Sequence, residues 1–137
     1  MKAFVLDAST ALGWLLDRPM LAKADHTRKL ILSGAIPVVP VLWRHEVSNA
    51  VVMAERRGRL TPEKARTLTQ DLDDFSETVE VDQAMVRISV LIETARRTHL
   101  TVYDAAYVEL AGRRGLPLAT LDDALAEAAG RDGVSLI

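Results

Sequence analysis

The sequence predicts an α/β architecture, a three-layer sandwich in which a central parallel sheet of about five short strands is flanked by helices. Two observations carry that expectation. Short, wholly apolar runs such as Ala3-Phe4-Val5-Leu6 alternate along the chain with stretches whose apolar residues recur at helical spacing. The composition is 49% hydrophobic but only 4% aromatic, so the core must be built of Leu, Val, Ile and Ala, as in a sheet covered on both faces.

The first strand ends abruptly in Asp7, and the small residues Ala8-Ser9-Thr10 lead into a short helix over residues 10–16. Asp17-Arg18-Pro19 breaks that helix, and a second covers residues 20–32, stopping near Ser33-Gly34. Ile36-Pro37-Val38-Val39 is a second strand with Pro40 at its exit. From Val41 a long helix begins, with Trp43, Val47, Ala50 or Val51, and Ala54 on one face, up to the basic end Glu55-Arg56-Arg57-Gly58. Thr61-Pro62-Glu63 is a start signal, a hydroxyl cap followed by proline at the first helical position, for a helix to about residue 75. Thr78-Val79-Glu80-Val81 is a third strand. Asp82 is then expected to cap a helix carrying Met85, Ile88, Leu91, Ile92 and Ala95 and finishing in Arg96-Arg97. Thr101-Val102-Tyr103-Asp104 opens another helix that runs through Arg113-Arg114 to Gly115. Leu116-Pro117-Leu118-Ala119-Thr120 is a fourth strand, residues 122–129 a short helix, and Val134-Ser135-Leu136 a last strand.

At 137 residues the chain is long enough to bury a self-sufficient core, and residues 1–137 are expected to form one domain. With no cysteine, disulfides and thiolate metal sites are excluded, which suits a cytoplasmic protein. The apolar run before Asp7 is too short for a signal-peptide core, and none is long enough to span a bilayer, so no membrane association is expected. A net charge of −2 argues at first against nucleic acid. Setting four acids aside as metal ligands turns the remainder net positive, and bound cations add to it, so an anionic substrate stays compatible.

Four acids stand out by position: Asp7, Glu46, Asp104 and Asp122. Each has an ordinary explanation. Asp104 follows Thr101 at capping-box spacing, Asp122 opens a helix, and acids in a first turn complement the helix dipole; Glu46 alone reads as a solvated helix residue. Together they mean more. Asp7 and Asp122 both follow strands, which in a parallel sheet places them at one edge, the edge where α/β sheets bind ligands. The helix of Asp104 can begin near that edge, and Glu46 lies one turn into the helix after the second strand. Carboxylates gathered without a cation repel one another, so hard divalent cations, which take oxygen ligands, are the simplest reason to gather them. Ser9 sits two residues after Asp7, Thr120 two before Asp122, and Asn49 one helical turn from Glu46, as groups that could support those acids.

The stretches Val5-Leu6-Asp7-Ala8-Ser9, Leu42-Trp43-Arg44-His45-Glu46-Val47-Ser48-Asn49-Ala50, Thr101-Val102-Tyr103-Asp104-Ala105-Ala106-Tyr107 and Leu118-Ala119-Thr120-Leu121-Asp122 together resemble the PIN-domain ribonucleases, and among them the VapC toxins of toxin–antitoxin pairs. The resemblance covers essentially the whole chain, with its motifs in order. It implies a PIN-like sheet, an acidic metal site of Asp7, Glu46, Asp104 and Asp122, and supporting roles for Ser9, Asn49 and Thr120. Asp123 leaves an ambiguity, because the doublet offers two carboxylates; the spacing to Thr120 and the direct strand exit favour Asp122, with a substitute or assisting role for Asp123 left open. The implied reaction is endonucleolytic hydrolysis of RNA assisted by one or two Mg2+ or Mn2+ ions, leaving a 5′-phosphate and a 3′-hydroxyl. Also implied are a VapB-type antitoxin that occupies the acidic site or groove, and a homodimer.

Substrate contacts are less marked. Arg44, on the Glu46 helix, is the leading phosphate contact. Arg56, Arg57, Arg59, Arg96, Arg97, Arg113 and Arg114 read equally as dipole partners and solvated faces, and Trp14, Trp43 and Tyr107 as core rather than base-stacking residues. Two rival readings remain at this stage. His45 and His99 could act as acid and base in a metal-free ribonuclease, or Asp7 could be the phospho-acceptor of a non-enzymatic receiver-type signalling module.

Overall fold

Strand β1 (Ala3–Leu6) is the centre of the fold because its side chains have no solvated face: Phe4, Val5 and Leu6 are all fully buried. In this computed structural model, which describes residues 1–15 and 20–137, three further strands lie parallel to it. They are β2 (Ile36–Val39), β3 (Glu80–Val81) and β4 (Leu118–Ala119), in the order β3-β2-β1-β4. Val5 pairs with Val38 on one side and Leu118 on the other, all three without exposed surface. Each such aliphatic side chain taken out of water stabilises the fold by about 1.5–3 kcal/mol before entropy is counted.

The helices are α1 (Ala8–Leu15), α2 (Ala22–Leu32), α3 (Leu42–Arg56), α4 (Pro62–Ser76), α5 (Ile88–Thr98), α6 (Val102–Arg114) and α7 (Asp123–Arg131). Helix α1 packs on α2 and α3, α3 on α4, and α5 on α6 and α7, while α6 lies against β1 and β4. The Trp14 indole donates to the Ala24 carbonyl at 2.6 Å, binding α1 to α2. The Phe75 ring meets Trp14 edge-on at 5.1 Å and Trp43 at 6.0 Å, closing α4 over them.

The hydroxyl caps form as their spacing predicts. Thr61 Oγ1 accepts the Lys64 N–H and Thr101 Oγ1 the Asp104 N–H, both at 3.2 Å. Asp122 is the cap of α7 rather than its first residue, accepting the Leu125 N–H at 3.1 Å. The expected break at Asp17-Arg18-Pro19, and the end of the first helix at Leu16, lie outside the described residues.

Three expectations are corrected. The third strand is only Glu80–Val81, because the Thr78 N–H and hydroxyl both bond to the Phe75 carbonyl and keep Thr78 in the turn that follows α4. Asp82 caps no helix. Its N–H continues the sheet by bonding to Val39, its carboxylate is held by Arg113 at 2.7 Å, and α5 starts six residues later at Ile88, leaving Met85 95% exposed. Finally, the chain at Val134-Ser135-Leu136 runs beside β4 but makes only an isolated bridge, Leu136 to Leu118, so four strands are seen where about five were expected.

Candidate functional site

In a sheet of order β3-β2-β1-β4 the chain leaves β1 for β2 on one side, and the strand on its other side, β4, arrives much later. The carboxyl ends of β1 and β4 therefore flank a topological switch point, where helices diverge and leave a crevice. Asp7 follows β1 there and Thr120 follows β4, with the Asp7 N–H bonded to the Ala119 carbonyl at 3.0 Å.

Asp7 is buried, and two hydroxyls converge on one of its oxygens. Ser9 Oγ donates to Oδ2 at 2.6 Å and Thr120 Oγ1 donates to the same atom at 2.7 Å. Each hydroxyl in turn accepts a backbone N–H at 3.0 Å, Ser9 from Leu121 and Thr120 from Asp122. Each hydroxyl has one proton to donate, here to Asp7, and the two hydroxyl oxygens lie 3.3 Å from each other. Burial pushes the Asp7 carboxyl above its ordinary range, against these hydrogen bonds and with a further push from the charge of Asp122.

Glu46 reaches the same place from the second turn of α3. The Tyr107 hydroxyl donates to its Oε1 at 2.5 Å, joining α6 to α3. Its pKa is raised, first by burial and then by the charges of Asp7 and Asp104. Asp104 stands in the first turn of α6, where Thr101 takes up its backbone N–H. The reciprocal half of the capping box is not made: among the described residues its carboxylate has no hydrogen-bond partner. Burial, then Asp7 and Asp122, raise it as well. The four acids, drawn from four separate parts of the chain, are thus near enough for their charges to act on one another, and among the described residues no Lys or Arg contributes to the shifts at Asp7, Glu46 and Asp104.

Among the described residues neither Asn49 nor Arg44 makes a hydrogen bond to the four acids. Asn49 is exposed and has no hydrogen-bond partner among the described residues, while Glu46 is held from another helix. Arg44, about 200° around α3 from Glu46, lines a groove between α3 and α4 with Val47, Ser48 and Asp73. Asp123 occupies the first turn of α7 and is exposed. It is Asp122, not Asp123, whose charge acts on Asp7 and Asp104. Arg97, Arg113 and Arg114 are engaged with Asp132, with Asp82 and Glu109, and with Glu80. Trp14, Trp43 and Tyr107 are buried, so none presents a face to a base. His45 borders an apolar groove beside Leu91, whereas His99 ends α5 in a left-handed conformation, eight residues and about 12 Å farther along the helix, so the two are not paired.

Tyr107 is the site residue that sequence reasoning misses. Its place three positions after Asp104 puts it on the same face of α6, but a tyrosine among apolar residues reads as core. Only the meeting of α3 and α6 reveals a partner for its hydroxyl.

The donor set suits a hard cation: every candidate is a carboxylate oxygen. Among the described residues Ser9 and Thr120 share Oδ2 of Asp7 and no side chain donates to Oδ1; Tyr107 takes only Oε1 of Glu46, the N-terminus of α7 takes only Oδ1 of Asp122, and Asp104 keeps both oxygens. As they stand, no three His, Cys, Asp or Glu side chains among the described residues form a group that could hold a metal ion.

The PIN domain family model matches residues 4–131. Ribonuclease VapC3 from Pyrobaculum aerophilum is 36% identical over 86 residues, which make up 63% of this chain and 66% of that protein, a little under two thirds of its length. The crystal structure of PAE2754 from Pyrobaculum aerophilum resembles the fold with a TM-score of 0.72 at 23% identity, over 98% of this chain and 89% of that one.

Proposed function

We propose that this chain, which belongs to the PIN domain family, is a divalent-metal-dependent endoribonuclease and the toxin of a VapBC-type toxin–antitoxin pair, with residues 1–137 forming one PIN-like domain. The observation that carries the reading is the gathering of Asp7, Glu46, Asp104 and Asp122 at the β1–β4 switch point with, among the described residues, no basic side chain shifting Asp7, Glu46 or Asp104. The likeness to a protein named Ribonuclease VapC3 supports the substrate class and the pairing with an antitoxin.

The same four residues would hold Mg2+ or Mn2+, one ion or two, through the oxygens left over after Ser9, Thr120, Tyr107 and the α7 N-terminus have taken theirs. Such a cation, when bound, supplies the activation of water and the neutralisation of phosphate charge that phosphodiester hydrolysis needs. The chain's own contribution is placement. Ser9 and Thr120 hold Asp7 as an acceptor and Tyr107 holds Glu46, at the sheet edge where α/β folds bind ligands. Among the described residues the Ser9, Thr120 and Tyr107 hydroxyls donate to Asp7 and Glu46; attack by water and a 5′-phosphate product belong to the proposed reading.

A homodimer, a VapB-type antitoxin that blocks the acidic site, and a cytoplasmic location belong to the same reading. Among the described residues no helix is long and apolar enough to cross a membrane. The receiver-type alternative loses its support to topology: that fold has the order 2-1-3-4-5, with β1 beside β3, whereas here β1 lies between β2 and β4.

The test is cleavage of total cellular RNA by purified protein, with and without EDTA, followed by mapping of the new ends. Expected are metal-dependent cuts bearing 5′-phosphates, absent with Asp7→Asn. Cleavage that survives chelation and leaves cyclic phosphates would overturn the proposal in favour of a metal-free mechanism that uses the 2′-hydroxyl.

A further inference from the structure

We propose that Tyr107 is a positioning residue for Glu46: its hydroxyl fixes the Glu46 carboxylate by Oε1 so that Oε2 is the oxygen kept available to a divalent cation. The inference rests on the metal-site reading above and adds to it a residue outside the acidic quartet. Glu46 has a longer side chain than the three aspartates, with more rotatable bonds to be fixed before it can act as a ligand. Asp7 is held by two hydroxyls and Asp122 by a backbone N–H. For Glu46 the Tyr107 hydroxyl is the one hydrogen-bond partner among the described residues, at the 2.5 Å expected of a phenol donating to a carboxylate.

Tyr107 is suited to the task because it cannot move. Its residue is fully buried, and it lies on α6 between Ala105 and Val108, also buried, and one turn after Asp104. The helix that brings Asp104 to the site therefore also brings the group that orients Glu46, so the two acids from α3 and α6 are placed in register by one element. A phenol has a single proton, and here it is spent on Glu46. Phenylalanine would fill the same space while leaving the half-buried carboxylate to turn toward solvent.

The experiment is titration calorimetry with Mn2+ alone on wild type, Tyr107→Phe, Glu46→Ala and the double variant, beside thermal melts and RNA cleavage. Tyr107→Phe is expected to fold, to bind Mn2+ about tenfold more weakly, and to lower kcat more than it raises KM. In the Glu46→Ala background the tyrosine change should then cost nothing more. Wild-type Mn2+ affinity in Tyr107→Phe, with weakened binding in Glu46→Ala, overturns the role of Tyr107 and leaves the acidic site standing. Wild-type affinity in Glu46→Ala overturns the site reading itself. An equal loss from Tyr107→Phe with and without Glu46 shows a packing role and also overturns the inference. Independently of how the Phe variant folds, proton NMR of wild type should show a downfield, slowly exchanging hydroxyl resonance that disappears in Glu46→Ala; its persistence there counts against the bond.

Discussion

Thr120 donates its hydroxyl proton to Asp7 across 113 positions of sequence, at 2.7 Å, and thereby ties the exit of β4 to the exit of β1. The same oxygen accepts the Asp122 N–H, so one small side chain sets both the least exposed carboxylate of the site and the start of α7. Thr120→Val keeps the shape but strands a backbone N–H and removes a donor from a buried carboxylate. It should destabilise the protein by about 1–3 kcal/mol and slow cleavage about tenfold. Urea unfolding and cleavage rates measured together check both; a variant indistinguishable from wild type in the two would mean the hydroxyl only fills space.

Asp7→Asn should separate stability from activity. An amide oxygen can still accept from Ser9 and Thr120, while the buried charge and its repulsion with Asp122 are gone. In EDTA the variant is expected to melt at or above the wild-type temperature, and its metal-supported cleavage is expected to fall by about 100-fold or more. Normal cleavage by a folded Asp7→Asn protein would remove Asp7 from the proposed site.

The pH dependence of metal-free stability has a definite sign. Asp7, Glu46 and Asp104 all bind protons more tightly in the folded chain than their ordinary values of 3.8, 4.5 and 3.8 imply. Over the interval from those values up to the raised ones the folded state holds more protons, so stability is lost as pH rises and regained as it falls. In EDTA the melting temperature should therefore fall as pH rises through that interval toward neutrality, with a smaller change in Asp7→Asn. Saturating Mn2+ should raise the melting temperature most at the alkaline end, since binding to the folded state alone stabilises it by mass action. Melts that show no pH dependence in EDTA would mean that the carboxylates do not strain the fold.

Much of this arrangement is legible in the sequence because it is local. A strand running into Asp7, a hydroxyl cap at Thr101 and a strand exit at Thr120 each declare an edge of the sheet without reference to the rest of the chain. What is not legible comes from meetings across the fold. Asp82 looks like a cap until Arg113, 31 positions on, captures its carboxylate, and the helix expected to begin there then waits until Ile88. Tyr107 looks like core, and by exposure it is; its bond to Glu46 spans 61 positions and depends on how α3 and α6 cross. The placement of Arg44 follows from a simpler geometry: two residues along a helix face nearly opposite ways, so sharing α3 with Glu46 does not bring the cation to the acids.

The doublet Asp122-Asp123 allows a comparison in which stability is held constant. Asp122 caps α7 through Oδ1, and asparagine caps a helix about as well as aspartate. Asp122→Asn should therefore melt within about 0.5 kcal/mol of wild type yet lose a carboxylate whose charge acts on Asp7 and Asp104. Mn2+ affinity and cleavage should both fall, by about tenfold or more. Asp123→Asn removes an exposed charge from the first turn of the same helix, where such a charge contributes about 0.3–1 kcal/mol against the dipole. It should shift the melt slightly and leave Mn2+ binding unchanged. If the effects come out reversed, with Asp123 controlling the metal, α7 must begin its first turn differently in solution and the ligand from this end of the chain has to be reassigned.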